Sequence, residues 1–166
     1  GRDYHRRGDI LGEHGQWRRL RTTITSGSLI KISTFAKVGM FDSRLFIDMV
    51  DIDFCMRCRQ HNLLVMENRT VTLSHSLGNS TLQKVFGWPL VLTHHSPLRR
   101  YYMTRNQLEM CLRYVWIDTR WVLGTAWHLL GSSVLVILME AQRWQKILAI
   151  FAGVRDFVLR RFGPKS

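Results

Sequence analysis

Trp121 to Met139 is a run of 19 residues with no Asp, Glu, Lys or Arg, and it limits the chain more than any other segment. Such a run must be buried in protein or placed against lipid, because water gives it no compensation. As a helix it reaches about the length that crosses a bilayer, roughly 20 residues. Gly124, Thr125, Gly131, Ser132 and Ser133 dilute it. Arg113 and Arg120 before it and Arg143 and Lys146 after it give no positive-inside asymmetry. A helix lying in the membrane interface is the favoured reading, with a single span and a buried helix as the alternatives.

The charge balance agrees with a surface role. Lys and Arg number 24 against 12 Asp and Glu, a formal charge of +12 with a pI near 10.6. That excess calls for a polyanionic partner: nucleic acid, an anionic membrane or a phosphorylated substrate. Next to an anionic leaflet each basic residue contributes about 1 kcal/mol. A hydrophobic content of 46% is ordinary and excludes wholesale disorder. Cys55, Cys58 and Cys111 are an odd number without dense spacing, which points to a reducing compartment. Cys55 and Cys58 form a C-x-x-C with no second pair to complete a zinc site, so buried helix cysteines are the better reading.

Four segments follow from the pattern. Residues 1–21, rich in Arg, His and Gly, read as a polar loop. Residues 22–78 read as a small α/β part, with β structure over 22–32 interrupted at Gly27 and a short helix from an N-cap at Ser33 to Gly39. A second helix is expected from Asp51 through Arg59, because Asp favours a helix N-terminus. Leu63–Met66 and Thr70–Leu73 read as short strands separated by Glu67-Asn68-Arg69. Residues 79–106 read as a connection. Residues 107–166 read as a helical tail: Leu108, Cys111, Leu112, Val115 and Trp116 share a helical face, and Trp144, Ile147, Leu148, Phe151, Val154 and Val158 form an apolar stripe. The expected class is α/β followed by helices.

One stretch carries chemistry. Thr25-Ser26-Gly27-Ser28 is followed by Val38-Gly39-Met40-Phe41-Asp42, and then by Asp51-Ile52-Asp53-Phe54-Cys55-Met56-Arg57. This order closely resembles the acceptor side of inverting glycosyltransferases of family 2, where a small-residue loop and a G-x-F-D turn precede an acidic helix start ending in Arg. Leu73-Ser74-His75-Ser76-Leu77-Gly78 resembles the H-x-x-G segment of the same enzymes. Pro97-Leu98-Arg99-Arg100-Tyr101-Tyr102 with Arg105-Asn106, and the ending from Gly153 to Gly163, resemble the rhamnosyltransferase branch. Val50 stands where that family usually carries an acidic residue before the base.

The resemblance implies the C-terminal, acceptor-side half of a GT-A-type fold followed by a membrane-associating tail. It implies transfer of rhamnose from dTDP-rhamnose to a lipid-linked saccharide, in surface polysaccharide or O-antigen synthesis at the cytoplasmic face of the bacterial inner membrane. Such a displacement needs one base to take the acceptor hydroxyl's proton, and a carboxylate at a helix N-terminus is stabilised as the accepting anion. By motif position Asp51 matches that base, Asp53 the second acidic residue, and Arg57 a cation that orients them. Ser26, Gly27 and Asp42 fall in the substrate-binding turns, and Arg99, Arg100 and Arg105 are candidates for phosphate contacts. His75 matches a residue that helps hold a divalent metal, Mg or Mn, on the leaving diphosphate. No nucleotide-binding half with its own D-x-D precedes these motifs, so this piece is expected to be inactive by itself. The rival class is a basic nucleic-acid-binding module with Trp and Tyr as stacking surfaces; it accounts for the charge but not for the ordered acidic motif.

Overall fold

The computed structural model describes residues 10–11, 16–74, 80–85, 88–93 and 95–165. They form two units: Gly1–Ser43 with Val50–His75, and Arg44–Met49 with Ser76–Ser166. The class is mixed α/β and mostly helical.

The first unit holds a three-stranded antiparallel sheet in the order β1 (Ile10–Leu11), β2 (Trp17–Leu20), β3 (Val65–Asn68). Two helices accompany it, α1 (Ile32–Val38) and α2 (Val50–Gln60). Its core joins Val38, Phe54 and Cys58 to Ile30, Phe35, Phe41, Leu63 and Val65. The Phe41 and Phe54 rings lie 4.6 Å apart and those of Phe35 and Phe54 5.3 Å, within the range of favourable aromatic pairs.

Several expectations change here. Trp17–Leu20 lies within the segment read as a polar loop, yet it is a strand because β3 pairs with it along its length. Arg18 stands opposite Glu67 in that register, with a charged contact of 3.6 Å, and this cross-strand pair keeps Glu67 inside a strand rather than at a break. One strand, Val65–Asn68, therefore replaces the two expected, and Thr70–Leu73 is irregular. Residues 22–30 form no strand; a turn at Thr25–Ser28 leads into α1. Lys31, not Ser33, occupies the N-cap of α1, without a capping side-chain bond.

The second unit contains the antiparallel pair β4 (Ser80–Val85) and β5 (Trp88–Thr93), then α3 (Pro97–Tyr114), α4 (Thr119–Met139) and α5 (Arg143–Val158). The expected connection 79–106 thus holds two strands and the first turns of α3. Ser96 caps α3 by accepting from the Arg99 N–H at 3.3 Å, with Pro97 in the first helical position. Asp118 caps α4 through the Trp121 N–H at 3.1 Å.

Much of the interior of this unit is polar, beside buried Leu45, Met110, Val122 and Val136. Helix α3 packs most extensively on α5, and the surfaces that meet are polar or small: Tyr101, Thr104 and Arg105 against Ala149, Gly153 and Asp156. Glu140 accepts from buried Arg100 and buried Lys146, each at 2.6 Å. Glu109 pairs with Arg113 at 2.7 Å and Arg160 at 2.5 Å, and the Tyr101 hydroxyl donates to Asp156 at 2.9 Å. The apolar stripe of α5 faces outward instead, with Trp144, Leu148, Phe151 and Val158 exposed. Leu123, Trp127, Leu130 and Leu138 do the same on α4. The helices meet closely at Gly153, where an added Cβ would lie 2.7 Å from the Tyr101 carbonyl oxygen.

Candidate active site

Asp51 lies in the first turn of α2, and its Oδ2 accepts the Thr25 backbone N–H at 3.2 Å. The sequence motifs around Gly27 and Asp51 are therefore neighbours in space. The turn itself is closed by the Ser28 N–H donating to the Thr25 carbonyl at 3.0 Å and the Ser28 hydroxyl donating to the Ile24 carbonyl at 2.8 Å. Gly27 has φ +73°, a left-handed conformation that favours glycine, while a Cβ there would meet only the movable end of the exposed Leu73 side chain. Ser26 is exposed beside it. A second tie, from the Cys55 thiol to the Thr23 carbonyl at 3.7 Å, fastens the same segment to α2. Burial pushes the Cys55 thiol up to about 11, which keeps it protonated and unreactive.

Asp53 is fully buried and accepts from Arg57 Nε at 2.9 Å, one helical turn on. The rest of the Arg57 fork turns to the end of α1. Nη1 donates to the Val38 carbonyl, and Nη2 to the Met40 carbonyl at 2.9 Å. Val38 is the last residue of α1 and Met40 follows its C-cap Gly39, so Arg57 ties down the end of α1 and the backbone leaving it, while Asp53 holds Arg57. The G-x-F-D turn has a physical basis in the same place. Gly39 ends α1 at φ +77°, Phe41 anchors in the aromatic cluster, and half-buried Asp42 follows it. Asp53 and Arg57 thus build the frame on which Asp51 stands.

The arginines expected at phosphates are in the second unit. Arg99 is exposed in the first turn of α3. Arg100 is buried against Glu140. Arg105 is 1% exposed and its nitrogens are engaged by the chain itself: Nε with Asn106 Oδ1 at 3.0 Å, Nη1 with the Gly163 carbonyl at 2.9 Å, Nη2 with the Leu45 carbonyl at 3.1 Å. Neither Arg100 nor Arg105 presents its charge to a ligand in this arrangement. His75 lies outside the described residues. Among the described residues no group of three or more His, Cys, Asp or Glu side chains is gathered to hold a metal.

Arg105-Asn106 entered the sequence reading only through the resemblance, and Met40–Met49 only as a loop or turn; neither was given a structural role. Asn106 Nδ2 donates to the carbonyls of Leu45 and Ile47, each at 2.8 Å, and of Asp48 at 3.1 Å. The loop has three non-glycine residues at positive φ: Phe46 (63°), Asp48 (70°) and Met49 (65°). Left-handed backbone costs an L-residue roughly 1–2 kcal/mol each, so something must hold it. The available signal was the spacing of Tyr101, Tyr102, Arg105, Asn106 and Glu109 along α3, a polar stripe at helical period.

No protein-family model matches the chain, and no solved structure matches it. It is 39% identical over 84 residues to the dTDP-rhamnosyl transferase RfbF of Shigella flexneri. The match covers 51% of this chain and 27% of that protein, so the chain spans about a quarter of the relative's length. Over half its own length, then, this chain is similar to a rhamnosyltransferase.

Proposed function

We propose that the chain is the acceptor-side part of an inverting glycosyltransferase of GT-A type, with Asp51 as its base. The reaction is transfer of rhamnose from dTDP-rhamnose to a lipid-linked saccharide during surface polysaccharide synthesis. The acceptor hydroxyl attacks the anomeric carbon, its proton passes to Asp51, and the bond to the nucleoside diphosphate breaks with inversion. The observation that carries this reading is the Thr25–Asp51 bond, which joins the glycine turn to the helix-start carboxylate, in a chain 39% identical over 84 residues to a rhamnosyl transferase. A divalent metal, Mg or Mn, belongs to the leaving diphosphate, and His75 is the residue this chain offers toward it. The described residues supply the base and its frame, not a metal cluster.

The outward apolar faces of α4 and α5, with exposed Arg120 and Arg143 beside them, support a membrane-associated tail at the cytoplasmic leaflet. Helix α4 is long and apolar enough to cross a membrane, and little of it is buried.

The test is rhamnose transfer by the full-length protein containing this chain. Asp51→Asn keeps the shape and removes the proton acceptor. Turnover should fall by about 10²–10⁴ with donor binding unchanged. Normal turnover in that variant would remove Asp51 from the mechanism.

A further inference from the structure

We infer that α4 and α5 lie in the plane of an anionic lipid surface, each immersed along one apolar side, and that α4 does not cross the bilayer. The inference concerns the second unit alone and rests on reading its helices as membrane-associated.

Length and composition by themselves allow a span. The neighbouring helix decides otherwise. Helix α3 runs antiparallel along α4 and meets it near both ends. At one end the Cys111 thiol donates to the Val122 carbonyl at 3.9 Å, and the Tyr114 and Trp121 rings lie 6.5 Å apart, edge to face. At the other end Arg100 donates to Glu140, the C-cap of α4, at 2.6 Å. From Trp121 to Glu140 the helix rises about 28 Å, close to the roughly 30 Å of a hydrocarbon core. A crossing α4 would therefore hold α3 at the same depths, with part of α3 inside the hydrocarbon. That part is charged. Glu109 lies between the two points of contact and pairs with Arg113 and with Arg160, whose side chain is 55% exposed. Charges at such depth are costly and are kept to bundle interiors, whereas Arg160 sits on the outside. With α4 in the plane of the interface, the same ion pairs stay on the water side.

The exposed stripes fit lipid along their length. Leu123, Trp127, Leu130, Val134 and Ile137 recur every three or four residues on one side of α4, while buried Val122 and Val136 mark its inward side. On α5 the exposed residues are Trp144, Leu148, Phe151 and Val158, and the inward ones Ala149, Gly153 and Asp156. Both stripes turn away from α3, so one surface can receive both. Charge then selects an anionic leaflet over a second copy of this chain. From Pro97 onward the acidic side chains are Glu109, Asp118, Glu140 and Asp156. Glu109, Glu140 and Asp156 are buried against their partners, and Asp118 caps α4. The cations Arg120, Arg143, Arg161 and Lys165 stay exposed. Two such surfaces brought together repel, whereas an anionic leaflet attracts every one of these charges.

The experiment uses the full-length protein containing this chain, with phosphatidylcholine vesicles made with and without phosphatidylglycerol. Leu123→Trp, Leu130→Trp and Ile137→Trp each add one tryptophan to the exposed side of α4, and Trp127→Phe removes the native one. The fluorescence difference from the wild type is read against lipids brominated at different depths, with circular dichroism confirming each fold. In the plane, all four positions lie at one shallow depth, about 5–10 Å into the headgroup boundary, and shallow bromines quench them best. Positions 127 and 130 quenched best by bromines near the chain ends, with 123 and 137 shallower, would mean a span and overturn the inference alone. Arg120→Gln combined with Arg143→Gln should weaken binding to the anionic vesicles about thirtyfold, from about fivefold per cation. Unchanged affinity in that variant would overturn the anionic partner. A wild-type protein that ignores vesicles of either composition would overturn the membrane reading itself. A lipid-free dimer that shields the added tryptophans from a water-soluble quencher and does not bind vesicles would assign the apolar sides to a second copy.

Discussion

Two glycines in neighbouring helices should respond to the same substitution with opposite signs. Replacing a helix-interior glycine by alanine ordinarily stabilises by about 1 kcal/mol, through lost unfolded-state freedom and better helix propensity. Gly131 on α4 has nothing within 4 Å of its would-be Cβ, so Gly131→Ala should show that gain in full. Gly153 on α5 is different. Its Cβ would sit 2.7 Å from the Tyr101 carbonyl oxygen, 3.1 Å from the Thr104 Cβ and 3.3 Å from the Arg105 N. Two of these three are backbone atoms of α3, which cannot swing aside as a long side chain can. Overpacking of this kind costs about 1–3 kcal/mol, and subtracting the propensity gain leaves a net loss near 1 kcal/mol. For a chain of this size, about 2–4 °C of melting temperature corresponds to each kcal/mol. Thermal melts followed by circular dichroism should therefore place Gly153→Ala below the wild type and Gly131→Ala above it. A Gly153→Ala protein that melts higher than the wild type would refute the close approach of α5 to α3.

Glu140→Gln should be far more damaging, because it leaves Arg100 and Lys146 buried without their common carboxylate. The expected loss is about 3–5 kcal/mol by denaturant titration, and an unchanged midpoint would mean that these cations reach water. Acid should also act through His95, whose pKa is lowered from 6.5 to about 4 by burial and by the charges of Arg99, Arg100 and Lys146, partly offset by Glu140. Between those pH values the unfolded chain takes up a proton that the folded chain refuses, so this contribution is whole above pH 6.5 and is lost as pH falls toward 4. His95→Gln should flatten that part of the stability profile, and an identical acid slope in the variant would count against the burial of His95.

The parts of the fold that local chemistry decides were legible. The acidic start of α2 and the termination of α1 at Gly39 follow from caps and backbone preference, and both stand in the structure. The Ser96-Pro97 start of α3 was equally readable, but the charged and aromatic residues after it masked the helix. What stayed hidden depends on distant residues. Trp17–Leu20 is a strand because Val65–Asn68 lies beside it, and no window around Trp17 contains that fact. The backbone of Arg44–Met49 is imposed by side chains some 60 positions later, as in the bond from Arg105 to the Leu45 carbonyl. Periodicity finds the two faces of α5 but is blind to which one turns inward. Here the inward face is Lys146, Ala149, Gly153 and Asp156.

That inversion changes which positions of the helical unit can accept mutation. On an ordinary soluble helix the outer face exchanges freely among polar residues and the inner face among apolar ones. Here Leu123, Trp127 and Leu130 touch little of the protein, so one apolar type can replace another with small effect on folding. At Lys146 even a well-shaped apolar replacement deprives Glu140 of a buried partner, so substitution there must come in compensating pairs. A charge placed at Leu130, which is exposed, would leave the helix packing intact. The paired charges that hold α3 to α5 and the apolar side chains left on the surface thus occupy separate sets of positions, and the second set can change while the first stays intact.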